Sequence, residues 1–284
     1  MLKIDNLTKD YGDFSLNVSM EVREGRVTGL IGPNGAGKST TFKAVLGLIR
    51  SNGGQISIFG EKLGVSVPSS IKQRIGAALA DSGFSGYITV RDATAIQRAM
   101  FDSFDSKFFL EKCGEFKLPL DKPIKEFSTG MKARLRVLTA LSHDADLLIL
   151  DEPTAGLDAV ARDEVLGLLR GYMSAKEDHA ILISSHISSD LESICDDFYL
   201  INSGRIVLHE DTDVLLSDYA LLKLSASDYE ALDKTYILNV KKENYGWLCL
   251  TSQKKYYMEN YPDIVIENGT IDDLILMSAR GESL

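Results

Sequence analysis

The run Gly32-Pro33-Asn34-Gly35-Ala36-Gly37-Lys38-Ser39 has residue types and a spacing that suit one chemistry. Glycines let a backbone curl so that several N–H groups converge on an anion, and a helix N-terminus behind them adds a favourable dipole. A lysine and a hydroxyl at the end of such a turn supply a cation for β- and γ-phosphates and an oxygen for Mg²⁺. Those roles fall to Lys38 and Ser39. A chain of this length matches the pattern by chance on the order of once in a hundred. The second element, Leu147-Leu148-Ile149-Leu150-Asp151-Glu152, is an apolar run closed by two acids, 113 residues after Lys38. An acid ending a buried strand beside the cradle can hold Mg²⁺, which is the role expected of Asp151. Glu152 is then placed to orient and polarise an attacking water. A strand ending in two acids is commonplace by itself; behind a phosphate cradle it is the expected partner.

Such residues need strand ends and helix starts to hold them, and the chain supplies both. Residues 26–31 read as a buried strand before the glycine-rich turn, and about 39–48 as the helix after it. Residues 55–59 look like a short edge strand. Thr89 and Asp92 have capping-box spacing and open a helical stretch predicted to run to about residue 113. Residues 146–150 read as a strand buried on both faces. A helix over about 160–173 and a strand over 180–184 repeat the rhythm, which predicts an α/β fold. After about residue 215 the composition shifts: seven of the eleven tyrosines and Trp247 lie there, and no phenylalanine does. Short strands around 236–240 and 247–250 and a last helix over 270–277, N-capped by Thr270, predict a small appended unit.

The 284 residues suggest roughly two domains. With 31 Lys+Arg against 41 Asp+Glu the net charge is −10, which argues against a broad nucleic-acid or anionic-membrane surface. Cys113, Cys195 and Cys249 lie far apart with no Cys-x-x-Cys pair, so a reduced, cytosolic protein is expected. The opening residues lack a signal-peptide core, and no apolar run approaches ~18 residues. A soluble chain, or one peripheral to a membrane component, is expected. His143, His179 and His209 match no motif and read as surface or packing residues.

With the two acidic and glycine-rich elements in place, the chain resembles the ATP-binding cassette (ABC) ATPases over about residues 1–210. Phe127-Ser128-Thr129-Gly130-Met131 looks like the family signature, Ala155-Gly156-Leu157-Asp158 like the D-loop, and Ser184-Ser185-His186 like the switch-histidine segment. Tyr11 stands where the family stacks an aromatic ring on adenine. The resemblance implies a P-loop nucleotide-binding domain over 1–215, with a mixed sheet core, a β subdomain and a helical subdomain at about 84–142. A small C-terminal α+β domain would occupy 216–284. It implies ATP and Mg²⁺ as ligands. Asn34, Gly35, Gly37, Lys38, Ser39, Thr40 and Tyr11 would bind nucleotide, joined by Ser128, Gly130 and Asp158. Ser39 and Asp151 would hold the metal, and Glu152, His186 and Lys38 would be catalytic.

Two departures from the family pattern stand out. Thr129 and Met131 replace a Gly and a Gln of the signature, which puts ribose contacts in question. Ala80 stands where a Mg²⁺-contacting glutamine is usual; either Asp81 substitutes for it, or water fills the site and Asp81 is a surface residue. The resemblance further implies an ATP-dependent dimer, since the signature binds γ-phosphate in the partner's cradle and each motif occurs once. It implies a separate integral-membrane permease, with this subunit peripheral on the cytoplasmic face. The tail resembles extensions of ATPases serving drug, bacteriocin or antimicrobial-peptide exporters; an importer ATPase and a soluble non-transport ABC ATPase are the alternatives. If the tail is a separate module, a chain ending near Asp213 folds and still binds ATP.

Overall fold

The computed structural model describes every residue except 65, 81, 82, 186, 281 and 284, and omits the side chains of 279, 280, 282 and 283. Alternating burial makes β2 (Ser15–Val22) a half-buried strand, paired antiparallel with β1 (Leu2–Asp10). Strand β3 (Val27–Ile31) is buried at all five positions and leads through the glycine-rich turn into α1 (Lys38–Val45). The chain returns as β4 (Gly53–Ile58), antiparallel to β1. The run expected as an edge strand is therefore internal. Phe59 and Gly60 both take left-handed conformations and reverse the chain, so the exposed pair β5 (Glu61–Lys62) becomes the edge.

A short helix α2 (Ser69–Lys72) precedes β6 (Ile75–Ala78). The helical stretch expected from Thr89 is two helices, α3 (Val90–Met100) and α4 (Ser106–Glu115). Thr89 and Asp92 do form the capping box. The break follows from Asp105, whose carboxylate accepts from Lys107 N and Phe108 N at 2.9 Å each and starts a new helix. With α5 (Thr129–Leu141) these helices enclose their own core, including Phe109, Cys113, Leu135 and Leu138. Strand β7 (Leu147–Asp151), α6 (Ala159–Ala175), β8 (Ala180–Ser184), α7 (Ser188–Ile194), β9 (Asp197–Asn202) and β10 (Arg205–Asp211) follow.

Among the described residues these ten strands form one mixed sheet in the order β5-β4-β1-β2-β10-β9-β3-β8-β7-β6. From β9 to β6 the neighbours run parallel. Every residue of β3, β7 and β8 is buried, as strands covered on both faces require.

Helix α8 (Thr212–Asp218) leads to a second sheet, made by β11 (Ala220–Leu224), β12 (Ile237–Glu243), β13 (Gly246–Thr251), β14 (Val265–Asn268) and β15 (Glu282–Ser283). Its order is β14-β11-β13-β12-β15. Helices α9 (Ala226–Ala231), α10 (Lys254–Asn260) and α11 (Ile271–Arg280) accompany it. The Thr270 cap expected for the last helix is present: Thr270 Oγ1 accepts from Asp273 N at 3.2 Å and the Asp273 carboxylate accepts from Thr270 N at 3.0 Å.

The second sheet has two apolar faces. One, with Leu222, Leu224, Cys249 and Tyr257, is its own small core. The other contributes Leu221, Leu248 and Leu250 and, with Ile271, Leu274 and Met277 of α11, runs into the same cluster as Val165, Leu169 and Leu200 of the main sheet layer. The three cysteines are free and buried, and burial pushes the Cys113 and Cys249 thiols up to about 12, so they pack rather than react. His143 stacks on Phe101 and His179 on Tyr172, both buried. Among the described residues no helix is long and apolar enough to cross a membrane.

A continuous cluster makes a definite expectation for truncation. A chain ending at Asp213 bares Leu200, Leu208 and the apolar residues of α7 and β9 that α11 covers, an apolar patch of the kind that aggregates. It should be largely insoluble, or melt well below the full chain in a thermal scan. A soluble Asp213-terminated chain with an unchanged melting temperature would show that the shared cluster contributes nothing.

Candidate active site

The cradle begins where β3 ends. Gly32 has φ 151, and a Cβ there would lie 2.1 Å from Ile201 O, so no side chain fits between the turn and β9. Gly37 has φ 116 and stands as the N-cap of α1, leaving the first N–H groups of that helix without intrahelical partners. Lys38 is the first residue of α1 and is almost fully buried. Its ammonium donates to Gly32 O at 2.7 Å and Pro33 O at 3.3 Å, beneath the turn. Burial lowers its pKa, and the charges of Glu152 and Asp151 oppose that shift.

A pocket of about 380 Å³ is lined by Tyr11, Phe14, Asn34, Gly35, Gly37, Lys38, Ser39, Thr40, Asp151 and Glu152. Nine of these ten are residues singled out from the sequence; Phe14 is not. Its signal was available, since it is an aromatic three residues from Tyr11, and Tyr11 N donates to Phe14 O at 2.9 Å to close the turn that holds both rings. Tyr11 is 53% exposed and can stack on a planar ligand through the ring face that Lys9 Nζ, 5.2 Å from the ring centre, does not cover.

Asp151 ends β7 and is buried. It sits opposite Ser184 in the β7–β8 register, and Ser184 Oγ donates to Asp151 Oδ1 at 2.6 Å. Glu152 turns away with φ 52, a left-handed conformation that costs a residue with a side chain roughly 1–2 kcal/mol. Two contacts hold it there: its N–H donates to both Ser184 O and Ser184 Oγ, each at 3.1 Å. One buried serine thus holds the Asp151 carboxylate and the Glu152 backbone. The sequence marked Ser184 only as part of the segment leading to residue 186, and its role comes from register, which sequence spacing does not reveal.

Three expected residues lie elsewhere. Ser128 is the N-cap of α5, its Oγ accepting from Met131 N at 3.2 Å, and Gly130 is in that helix's first turn. Asp158 caps α6, accepting from Ala161 N at 2.8 Å. None of the three lines the pocket. The two helix starts pack together, because a Cβ on Gly156 would be 3.3 Å from Thr129 Cγ2. His186 and Asp81 lie outside the described residues. Ala80, exposed two residues beyond β6, offers no side-chain oxygen.

With this geometry in hand, known proteins give a family. A sequence profile of the ABC transporter family matches residues 16–155, and one for an AAA domain described as a putative AbiEii toxin of type IV toxin–antitoxin systems matches 122–189. The lantibiotic transport ATP-binding protein SrtF of Streptococcus pyogenes is 36% identical over 217 residues, 75% of this chain and 92% of that protein. The chain belongs to the ABC transporter ATP-binding family. Another relative in it is the bacitracin transport ATP-binding protein BcrA of Bacillus licheniformis, 35% identical over 212 residues, 73% of this chain and 68% of that one. A solved ATP-binding subunit of an ABC transporter superposes with a TM-score of 0.67 at 27% identity, covering 76% of this chain and 91% of the other. A dimeric cassette in a post-hydrolysis state bound to ADP and Pi shares the fold with a TM-score of 0.66 at 19% identity, covering 75% and 99%. This ABC cassette is an ATP hydrolase with the α/β fold of its family.

The double role of Ser184 in the cassette is open to a direct measurement. Ser184→Ala strips a buried carboxylate of its donor, which costs about 1–3 kcal/mol of stability. ATP hydrolysis should slow about tenfold, ~1.4 kcal/mol of barrier, whereas Ser184→Thr, which keeps the hydroxyl, should retain most of the rate. An alanine variant as fast and as stable as wild type would remove Ser184 from the site.

Proposed function

We propose that this chain is the ATP-hydrolysing subunit of an exporter of antimicrobial peptides or drugs, working through a separate integral-membrane permease. The observation that carries the reading is the pocket in which Lys38, Ser39, Asp151 and Glu152 meet, in a chain whose relatives serve lantibiotic and bacitracin transport. In this reading the subunit is peripheral, on the cytoplasmic face, held there by the permease. Residues 1–215 are the cassette proper, with a helical subdomain at about 84–142, and 216–284 are an accessory unit. The separate second sheet supports that division.

Tyr11 and Phe14 wall the outer end of the pocket, where an adenine ring stacks. Backbone N–H groups from Asn34 to Thr40 and the Lys38 ammonium hold the phosphates at the inner end. The donor set fits Mg²⁺, because the Ser39 hydroxyl and the Asp151 carboxylate are hard oxygens opening on one pocket with room for phosphate oxygens and water. When bound, the ion neutralises charge on the β- and γ-phosphates. The Glu152 carboxylate orients the attacking water and takes its proton as the bond to the γ-phosphorus forms and the bond to ADP breaks. His186 is the proposed contact to the γ-phosphate.

Ser128, Gly130 and Asp158 do not line their own chain's pocket, which supports a two-fold dimer in which each signature completes the partner's site. ATP then joins the halves and loss of the γ-phosphate lets them part, a population shift driven by one differential contact.

Glu152→Gln should bind ATP normally, hydrolyse it ~100-fold or more slowly, and form a dimer with ATP that persists in light scattering. Lys38→Ala should weaken nucleotide binding itself. Cells carrying Glu152→Gln in place of the native subunit should become more sensitive to lantibiotics or bacitracin. Wild-type turnover by Glu152→Gln would overturn the catalytic assignment, and unchanged sensitivity would overturn the cargo.

A further inference from the structure

Helix α5 touches β6 in two places. A Cβ on Gly76 would lie 2.2 Å from Ala140 O, so helix and strand backbones are in direct contact near the helix's C-terminal end. Two turns after the Ser128 cap, Arg136 reaches the other end of the strand: one guanidinium nitrogen donates to Leu79 O at 3.1 Å and Ala80 O at 2.9 Å. Two residues earlier, Arg134 is committed to other partners, Glu164 at 2.5 Å and the ring of Phe116. Arg136 is thus the cation of this helix that grips the sheet. Beyond the grip, β6 lies beside β7 with Ala78 opposite Leu150, one residue before Asp151. Arg136 is half-buried, and Asp151 is close enough for its charge to act on the guanidinium.

We infer that Arg136 is a positioning residue that ties the start of α5, where a partner's nucleotide is recognised, to the strand end beside Asp151. The tie runs through backbone carbonyls, which suits a position where Ala80 brings no polar side chain. A rigid helix pinned at Gly76 and clamped at Ala80 cannot shift at its N-terminus without moving the end of β6. The clamp is strong because a charged donor serves two carbonyls in a partly dehydrated place. A lysine at 136 keeps one charged nitrogen that can donate to both carbonyls, but carries it on a flexible stem without the rigid guanidinium plane. The inference rests on the ATP-joined dimer proposed above.

The test uses full-length Glu152→Gln as the parent, with Arg136→Ala and Arg136→Lys added to it. In light scattering, Arg136→Ala should need about tenfold more ATP for half-dimerisation (~1.4 kcal/mol), with Arg136→Lys between it and the parent. Affinity of the monomer for a fluorescent ATP analogue should stay within about twofold, since no cradle contact is lost. Hydrogen exchange gives a second readout that needs no dimer. ATP should protect residues 32–40 in parent and variants alike, and 75–80 in the parent but not in Arg136→Ala. Protection of 75–80 undiminished in both variants overturns the inference, as does half-dimerisation at the parent's ATP concentration. A loss of ATP affinity in step with melting temperature also overturns it, because it would reduce Arg136 to a folding contact. A parent that never dimerises while the exchange pattern holds would sink the dimer and leave the tie standing.

Discussion

Asp151 and Ser184 face each other across β7 and β8, and the hydrogen bond between them exists only if the two strands keep that register. A slip of one residue in either strand would send that strand's member of the pair to the opposite face of the sheet and part the two. Register is held by burial: the β7 and β8 residues lie between two apolar clusters, so a slip would exchange packed side chains on both faces at once. The same packing holds β3 beside β8, and β3 delivers the glycine-rich turn. The catalytic geometry is therefore a property of the sheet before it is a property of any loop.

The cost of that geometry is concentrated in a few residues. Glu152 keeps a left-handed backbone, Lys38 is buried with its charge, and Asp151 is a buried carboxylate. Each is met by a fixed partner: Ser184 for both acids, and the carbonyls of Gly32 and Pro33 for the ammonium. Buried groups of this kind are stable only when so satisfied, and once fixed they do not reorganise when charge arrives. The aromatic end of the pocket is built differently. Tyr11 and Phe14 sit on an exposed turn, where stacking tolerates small displacements and rigidity brings little gain.

The fully buried strands and the glycine-rich turn were legible because their signals are local: apolar runs of five residues and a motif with fixed spacing. The single long helix expected after Thr89 failed for a local reason as well, since Asp105 caps a second helix and Phe101 turns extended to feed it. What could not be read were relations between distant segments. Ser184 and Arg136 are an ordinary serine and an ordinary arginine in sequence, and each matters because strand register or helix packing puts it against residues more than thirty positions away. Phe14 is the opposite case: it is local to Tyr11, but only the turn closed between Tyr11 N and Phe14 O brings its ring to the same pocket.

The accessory sheet extends this logic past the catalytic unit. Helix α11 is fastened to α7 by Ser188 Oγ, which donates to Asp272 Oδ2 at 2.8 Å, and by Ile271 N, which donates to Glu192 Oε1 at 3.2 Å. It is fastened to β9 by Asn202 Nδ2, which donates to Ser278 O at 2.8 Å. Helix α7 starts just after residue 186, and β9 ends beneath the Gly32 turn, where Ile201 O sets the limit on its side chain. Polar bonds at the edge of a continuous apolar cluster leave little freedom for a rigid body to swing, because any rotation opens apolar surface as it breaks them. The C-terminal residues thus bear directly on α7 and on the end of β9, so a force applied to them reaches the strand that abuts the Gly32 turn without passing through a flexible linker.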